Sequence, residues 1–418
     1  MWHTLKKSKL ILTHDVKRVI LRYLNFGRED RIQPVFHYVE ALSEEEVINQ
    51  LNGLNELYAD RHFDLNAAWL SNFHNLGPSF LSPSWSVARQ ALLGAYFTME
   101  YSVESAALFN PSMVLQGKMG IDGSQAFVMS LRSTGEGHIS SISFLEGIIS
   151  ADGTISVSER NRKINAGTIL PTEDEEEYDV VFDSSIPLNS RILFPVSPGE
   201  CNGMEDVRLT RMQLDDGEEI YYGTYTAYNG KKIMPKLIRT RNFLHFEIRR
   251  LHGNAVMDKG MAFFPEKVNG KFVVTGRQDG RHSTIMFSDV LTHQDEYKVL
   301  LKLRYDWDVL QMGNCGSPVK TPHGWLLPTH TVGPMRRYVL SMVLLDLHDP
   351  SRVQATLSQP LLQPDAFERE GYVPNVLYTC GIVIFNQKLI LPYAMSDSAI
   401  GFASVDVEEV ISKMVPYE

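Results

Sequence analysis

Carboxylates, cations and amides stand at matching places along several short apolar runs of this 418-residue chain. Asn110, Glu205, Asp206, Arg208, Lys259 and Asn375 open such runs, and Arg132, Tyr228, Asn229, Arg277, Gln278, His330 and Asp397 close them. Gathered in one place, that mixture suits an anionic or polyhydroxylated ligand better than an apolar one. Arg132, Lys259, Arg277 and His330 come from four different segments. If they converge, they can hold a phosphate or carboxylate through charge-assisted hydrogen bonds. The alternative is that each pairs with a local acid such as Glu205 or Asp397. Glu205 and Asp206 are adjacent in a predicted strand, where successive side chains point to opposite faces. Only one of them is then expected to face a substrate. This favours chemistry with a single acid over a retaining pair of carboxylates ~5 Å apart. Gly135-Glu136-Gly137-His138 carries a histidine without a second ligand at metal spacing, and no GxGxxG, Walker loop, HExxH or GxSxG pattern occurs. No metal or organic cofactor is expected. Arg336-Arg337 reads as a solvated basic spot.

These side chains need elements to position them. Residues 40–108 read as helical. Ser43 followed by Glu44, Glu45 and Glu46 opens a helix with a cap and with acids at its positive dipole end. Val47, Leu51, Leu54 and Leu57 follow at spacings of three and four and mark one buried face. Further helical segments are expected over 64–76 and 85–108, punctuated by Gly77-Pro78 and Ser82-Pro83. After Asn110 short apolar runs at 126–130, 219–223, 271–274 and 388–391 follow polar turns at Asp122-Gly123, Asp216-Gly217, Asn269-Gly270 and Asn386-Gln387, which are hairpin signals. Five segments share this plan. Four of them, anchored at Val207, Met261, Pro318 and Asn375, recur at intervals of 54, 57 and 57 residues. Such a period predicts an all-β, five-bladed β-propeller over 106–418 behind a largely helical N-terminal extension over 1–105. A sandwich or barrel with coincidental spacing is the alternative. Inner strands of a propeller meet at a channel, so the polar residues above would converge at one mouth. The acidic stretch Glu173-Asp174-Glu175-Glu176-Glu177 reads as a solvated loop.

Hydrophobic residues at 44% and charged residues at 22% exclude disordered and fibrous classes, and the length exceeds a single core unless the fold repeats. A net charge of −10 gives no global attraction to nucleic acid or anionic lipid. Cys201, Cys315 and Cys380 are far apart, so neither a disulfide framework nor a zinc ribbon is expected. The apolar stretch Leu10-Ile11-Leu12 is too short for a signal peptide, and no run approaches the ~18 residues of a membrane span. A soluble, cytoplasmic protein with no nucleic-acid or membrane partner is expected.

Longer motifs run through the second part of the chain: Phe109-Asn110-Pro111-Ser112, Gly203-Met204-Glu205-Asp206-Val207-Arg208, Thr226-Ala227-Tyr228-Asn229-Gly230, Lys259-Gly260-Met261-Ala262-Phe263-Phe264-Pro265, Gly313-Asn314-Cys315-Gly316-Ser317-Pro318, Gly324-Trp325 with His330, Gly371-Tyr372-Val373-Pro374-Asn375, and Pro392-Tyr393-Ala394-Met395-Ser396-Asp397. Over roughly residues 100–412 the chain resembles glycoside hydrolase family 130, the β-mannoside phosphorylases and their hydrolytic relatives. The resemblance implies a five-bladed β-propeller and an inverting reaction. Asp206 would be the general acid, passing its proton through the mannose 3-hydroxyl. Inorganic phosphate, as co-substrate, would attack a β-mannoside to give α-mannose 1-phosphate. It would be held at positions resembling Arg132, Lys259 and His330, with Arg277 a further candidate. Asn110, Tyr228 and Asp397 would line the sugar site, with Glu205, Arg208, Asn229 and Asn375 as further substrate-binding candidates. Three departures touch the phosphate side. Glu-Asp-Val-Arg stands where Asp-Pro-Arg is usual, Thr329-His330 replaces a Tyr-His pair, and the Gly135–His138 segment replaces a second basic residue soon after Arg132. These leave open an inverting β-mannosidase with Glu136 as the base. A non-catalytic carbohydrate-binding propeller is the reading from a different class. The resemblance also implies a homo-oligomer formed through the N-terminal helices.

Overall fold

The computed structural model of the chain describes residues 2–81, 84–214 and 217–417. The break read at Ser82-Pro83, and Asp216 of the Asp216-Gly217 turn, lie outside them. The chain divides into two compact units, one formed by Val16–Val103 with Asn161–Asn165, the other by Met1–Asp15, Glu104–Arg160 and Ala166–Glu418.

The first unit carries the helices Glu29–Ala41, Glu44–Tyr58, Leu65–His74 and Val87–Tyr96. At Ser43 the hydroxyl accepts from the Glu46 N–H while the Glu46 carboxylate accepts from the Ser43 N–H, so two orphan donors of the helix end are satisfied together. Val47 is fully buried, and Leu51 and Leu54 pack beside it against Phe73, Leu92, Leu93 and Phe97. Leu57 does not continue this face: it is 67% exposed. Tyr58 takes the next inward position, completing a 47, 51, 54, 58 stripe. The segment read as helical over 85–108 ends at Tyr96. Thr98–Ser102 is instead a strand paired with Val19–Tyr23.

The second unit is mostly β. Its sheets are antiparallel throughout the hairpins, and the strands begin and end close to the turns read from sequence. Asn269 and Gly270 both have positive φ, 52° and 79°, and Val268 and Lys271 exchange both hydrogen bonds across them. This is the geometry that suits the twist of a two-residue hairpin. Among the described residues an eleven-stranded sheet consists of two antiparallel groups, Ala107–Gln116 to Ile155–Val157 with Ile192–Leu193, and Gly203–Gln213 to His245–Arg250 with Tyr178–Val181 and Thr168–Pro171, joined by one parallel pairing of Gly203 with Ser140. Ala262–Phe263 to Lys298–Leu301 forms a four-stranded sheet, Gln311–Asn314 to Val353–Leu357 lies in a six-stranded sheet, and Leu377–Tyr378 to Ala399–Asp406 in another. The helical front expected over 1–105 therefore needs a correction at its start. Lys6–Lys7 and Leu12–Thr13 are strands paired with Ala399–Asp406. Apolar clusters lie between neighbouring sheets, as where Val273 and Ile285 of the four-stranded sheet pack with Trp325, Leu327 and Leu345 of the next.

The acidic stretch is not merely solvated. Glu176 pairs with the fully buried Lys236 at 2.8 Å, and Asp174 with Arg250 at 3.2 Å. Lys236 also donates to Ser197 Oγ at 2.6 Å, and Glu200 accepts from Tyr225 at 2.6 Å and from Tyr178. A charge buried at this depth persists only with such partners. No described helix is long and apolar enough to cross a membrane.

Candidate active site

A cavity of about 250 Å³ opens in the strand-rich unit. Asn110, Arg132, Asp206, Arg208, Lys259, Arg277, His330 and Asp397, all singled out by sequence, line it. A repeated backbone device aims several of them. The register of Gly203–Gln213 against Glu219–Tyr228 slips between Glu205 and Arg208, and Asp206 there has φ 56°. The register of Ala107–Gln116 against Gln125–Thr134 slips between Phe109 and Ser112, and Asn110 there has φ 48°. Asp397, in the turn before Ala399–Asp406, has φ 50°. A bulge of this kind turns a side chain out of the strand's alternation, and Asn and Asp tolerate the left-handed backbone better than most residues. Such strain collects at functional sites.

Of Glu205 and Asp206 only Asp206 lines the cavity, but the bulge keeps the two from the full opposition expected of neighbours in a strand. Both carboxylates reach one guanidinium: Arg132 Nη1 lies 3.0 Å from Asp206 Oδ1, and Nη2 lies 2.9 Å from Glu205 Oε1. Arg132 is itself held by Ser140 Oγ, which accepts from Nε at 2.9 Å, and by the Phe109 ring 4.8 Å away. Asp206 Oδ1 also accepts from Asn110 Nδ2 at 2.7 Å. Glu205 is buried behind the cavity wall, where its Oε2 accepts from Lys259 Nζ at 2.7 Å. Arg208 donates to the Asp206 carbonyl at 2.7 Å and to the Tyr378 hydroxyl at 2.8 Å. Arg277 pairs with Asp258 at 3.2 Å.

These contacts set the protonation states. Burial acts to raise the Asp206 carboxyl, but Arg132, Arg208 and Lys259, with the Asn110 hydrogen bond, bring it down to about 2. Burial, followed by the charges of Arg277 and Arg208, brings His330 down to about 3, so the imidazole is neutral at ordinary pH. It stacks on Tyr338 at 5.6 Å, and its Nδ1 is buried without a hydrogen-bond partner. Only a glycine fits beside it, since a Cβ on Gly313 would stand 2.9 Å from His330 Cε1. Asp397 goes the other way: burial pushes it up to about 6, against the pull of Arg132. A carboxyl raised in the folded state destabilises the fold as pH rises from its unfolded value toward 6. Asp397→Asn is therefore expected to be more stable than the wild type at pH 8, by on the order of 2–3 kcal/mol. The two should converge near pH 4, as urea unfolding at the two pH values would show.

Other sequence candidates lie outside the cavity. Tyr228 donates to the Gly230 carbonyl, with Lys259 Nζ 5.9 Å from its ring centre. Asn229 accepts from the Lys231 and Lys232 N–H groups and lines a separate cavity of about 390 Å³ with Arg250 and His252. Asn375 serves through its backbone, donating to the Arg369 carbonyl and accepting from the Tyr338 N–H. Gln278 packs against Thr284. Glu136 is exposed on the Gly135–His138 turn, where His138 Nδ1 meets the Tyr372 hydroxyl at 2.6 Å. Conversely, Gln311, Asn314, Arg336, Tyr338 and Tyr378 line the cavity. Arg336 had been read as solvated; no local pattern marked Tyr378, whose strand is only two residues long. Among the described residues no group of three His, Cys, Asp or Glu is placed to hold a metal ion.

The profile of a family described as beta-1,4-mannooligosaccharide phosphorylase matches residues 185–415. A 1,2-beta-oligomannan phosphorylase of Thermoanaerobacter sp. (strain X514) is 34% identical over 220 residues, covering 50% of this chain and 71% of that protein. The solved beta-1,2-mannobiose phosphorylase from Listeria innocua, in complex with beta-1,2-mannobiose, is similar in fold with a TM-score of 0.52 and 21% identity, covering 74% of this chain and 92% of its own. A further structure, with a TM-score of 0.55 and 19% identity over 74% of this chain and 87% of its own, comes from work described as showing that the GH130 family of mannoside phosphorylases contains glycoside hydrolases that target beta-1,2 mannosidic linkages in Candida mannan.

Proposed function

The chain belongs to glycoside hydrolase family 130, and on that premise we propose that it phosphorolyses a β-mannosidic bond to release α-mannose 1-phosphate. One observation carries the choice of nucleophile. Five cations, Arg132, Arg208, Lys259, Arg277 and Arg336, line a cavity that offers two carboxylates, Asp206 and Asp397. Glu205 and Asp258 pair with three of these cations from outside the lining, and the one positive charge still left over suits a phosphate. Water as nucleophile would need a second carboxylate as base; Glu136 lies outside the cavity lining, and Asp397, the second carboxylate within it, is read as a sugar contact.

A phosphate oxygen attacks the anomeric carbon on the face opposite the leaving group. The C1–O bond to the aglycone breaks, and the proton carried by Asp206 ends on the departing oxygen, with inversion at C1. A glycosidic oxygen leaves poorly without that proton. In the empty site Asp206 is ionised, since three cations hold it near 2. Bound phosphate draws on those same cations, so the carboxyl rises and can take up the proton it must deliver. Asn110 fixes the carboxylate, and Asp397 meets sugar hydroxyls. Incubation of β-mannosides with phosphate is expected to yield α-mannose 1-phosphate mole for mole, and phosphate-free buffer to stop turnover. Free mannose released at a rate indifferent to phosphate would instead establish a mannosidase.

We further infer that the strand groups are five blades of a propeller. The sequence period supports this, as do the parallel bridges Ser140–Gly203, Ser112–Gly381 and Tyr338–Val376 between successive groups. Residues 106–418 are then the catalytic domain. The three free thiols suit a cytoplasmic protein. Exposed Ile48, Leu57, Tyr38 and Tyr96 suit an oligomer contact of the helical front.

A further inference from the structure

The cavity cations differ in what already holds them. Arg132 is committed to Glu205 and Asp206, Lys259 to Glu205, Arg208 to the Asp206 carbonyl and Tyr378, and Arg277 to Asp258. Arg336 alone of the five makes no hydrogen bond or ion pair to a protein side chain among the described residues, although its charge acts on the Asp397 carboxyl across the cavity. Its neighbour Arg337 turns away to Gln363. The backbone that presents Arg336 is unusual: in the turn Pro334–Arg336, between the strands Gly324–Gly333 and Arg337–Leu345, Met335 has φ 60° and Arg336 has φ 53°. Two consecutive non-glycine residues in the left-handed region cost free energy, and here they bring a guanidinium to the cavity. The same hairpin carries His330 and Tyr338 into the wall. The His330 imidazole is neutral and has an unpartnered ring nitrogen in the buried wall. A planar cation without an ion pair and a neutral imidazole lining one cavity suit a tetrahedral anion.

We propose that Arg336 is a phosphate-binding residue of this enzyme, supplying from the Pro334–Arg336 turn the cation that the Gly135–His138 segment lacks. The inference rests on the phosphorolytic reading. A guanidinium with no direct ion pair before phosphate arrives breaks none on binding it, whereas Arg132 and Lys259 must share themselves with Glu205 and Asp206. Arg336 therefore contributes to phosphate affinity more than its place at the cavity edge suggests.

The test compares wild type, Arg336→Ala and Arg336→Lys with phosphate and mannoside varied separately, and follows the phosphate-induced rise in melting temperature. Arg336 is exposed in a turn, so both variants are expected to fold. For Arg336→Ala the KM for phosphate should rise about 10- to 100-fold, the range expected for loss of a charged hydrogen bond, with the KM for mannoside changed less than about twofold. The phosphate-induced thermal shift should shrink in step, and Arg336→Lys should recover part of both. A raised KM for mannoside with an unchanged KM for phosphate would overturn the assignment and make Arg336 a positioning partner of Asp397. A wild type whose rate ignores phosphate would overturn the phosphorolytic reading and this proposal together. A phosphate-dependent wild type matched by Arg336→Ala would overturn this proposal alone.

Discussion

Asp206→Asn is expected to lower kcat by about 10⁴-fold, the upper range for loss of a general acid, while the protein stays folded. The amide has the shape of the carboxyl and can still accept from Arg132 and Asn110, so the wall survives. What disappears is the proton. A β-mannoside whose leaving group is a strongly acidic phenol needs no proton to depart. Its phosphorolysis should therefore fall far less than that of an oligosaccharide. Parallel loss on both substrates would show that Asp206 binds rather than protonates. The pH dependence separates the states further. In the free enzyme the group titrates near 2, so kcat/KM should show no limb from it between pH 5 and 8. In the complex its rise brings a limb of kcat into reach, and Asp206→Asn should abolish that limb.

Arg132→Met should produce the second large effect, on stability and turnover together. The guanidinium binds Glu205 at 2.9 Å and Asp206 at 3.0 Å, and both acids are largely buried. Removing the cation leaves Glu205 with Lys259, and Asp206 with Asn110 and the charges of Arg208 and Lys259. Breaking a buried pair in this way costs about 3–5 kcal/mol. Asp206 is lowered in the folded state, so its contribution is present above its unfolded value and is lost as pH falls toward 2. The gap between wild type and Arg132→Met in urea unfolding should thus be widest near pH 7 and narrow below pH 4. A gap independent of pH would assign the loss to packing against Phe109 instead. Turnover should fall at least about 100-fold, because a group displaced by ~1 Å loses its alignment.

Much of this site could be read before the structure. The hairpins announced themselves through Asn269-Gly270 and Asn386-Gln387, and residues at strand openings and ends converge on one cavity. Where the reading failed, a local rule was broken for a physical reason. Alternation along a strand predicted that Glu205 and Asp206 part company, and a bulge brings them to the same guanidinium. Tyr228, Asn229 and Asn375 sit at strand ends like the others, but turn hydrogen bonds and backbone roles take them out of the lining. Arg336 looked solvated because the other cavity residues are far away in sequence and its aim depends on two left-handed residues that composition does not announce. Leu57 fits a three-and-four spacing, yet the turn of the helix gives its place to Tyr58.

The pairing of Lys6–Lys7 and Leu12–Thr13 with Ala399–Asp406 carries a consequence for how the enzyme is made. The Asp406 N–H donates to Thr4 Oγ1 across a sequence separation of 402 residues. Contacts of that separation must wait for loop closure over nearly the whole chain. On the ribosome the early strands emerge long before their partners, and stay exposed edges until the late ones appear. Asp397 sits in the turn that leads into the closing strand. The Asp397 side of the cavity therefore takes shape late in biogenesis, after Arg132 and Asp206 have emerged, and an interrupted translation product would hold Asp206 and its cations without the complete cavity.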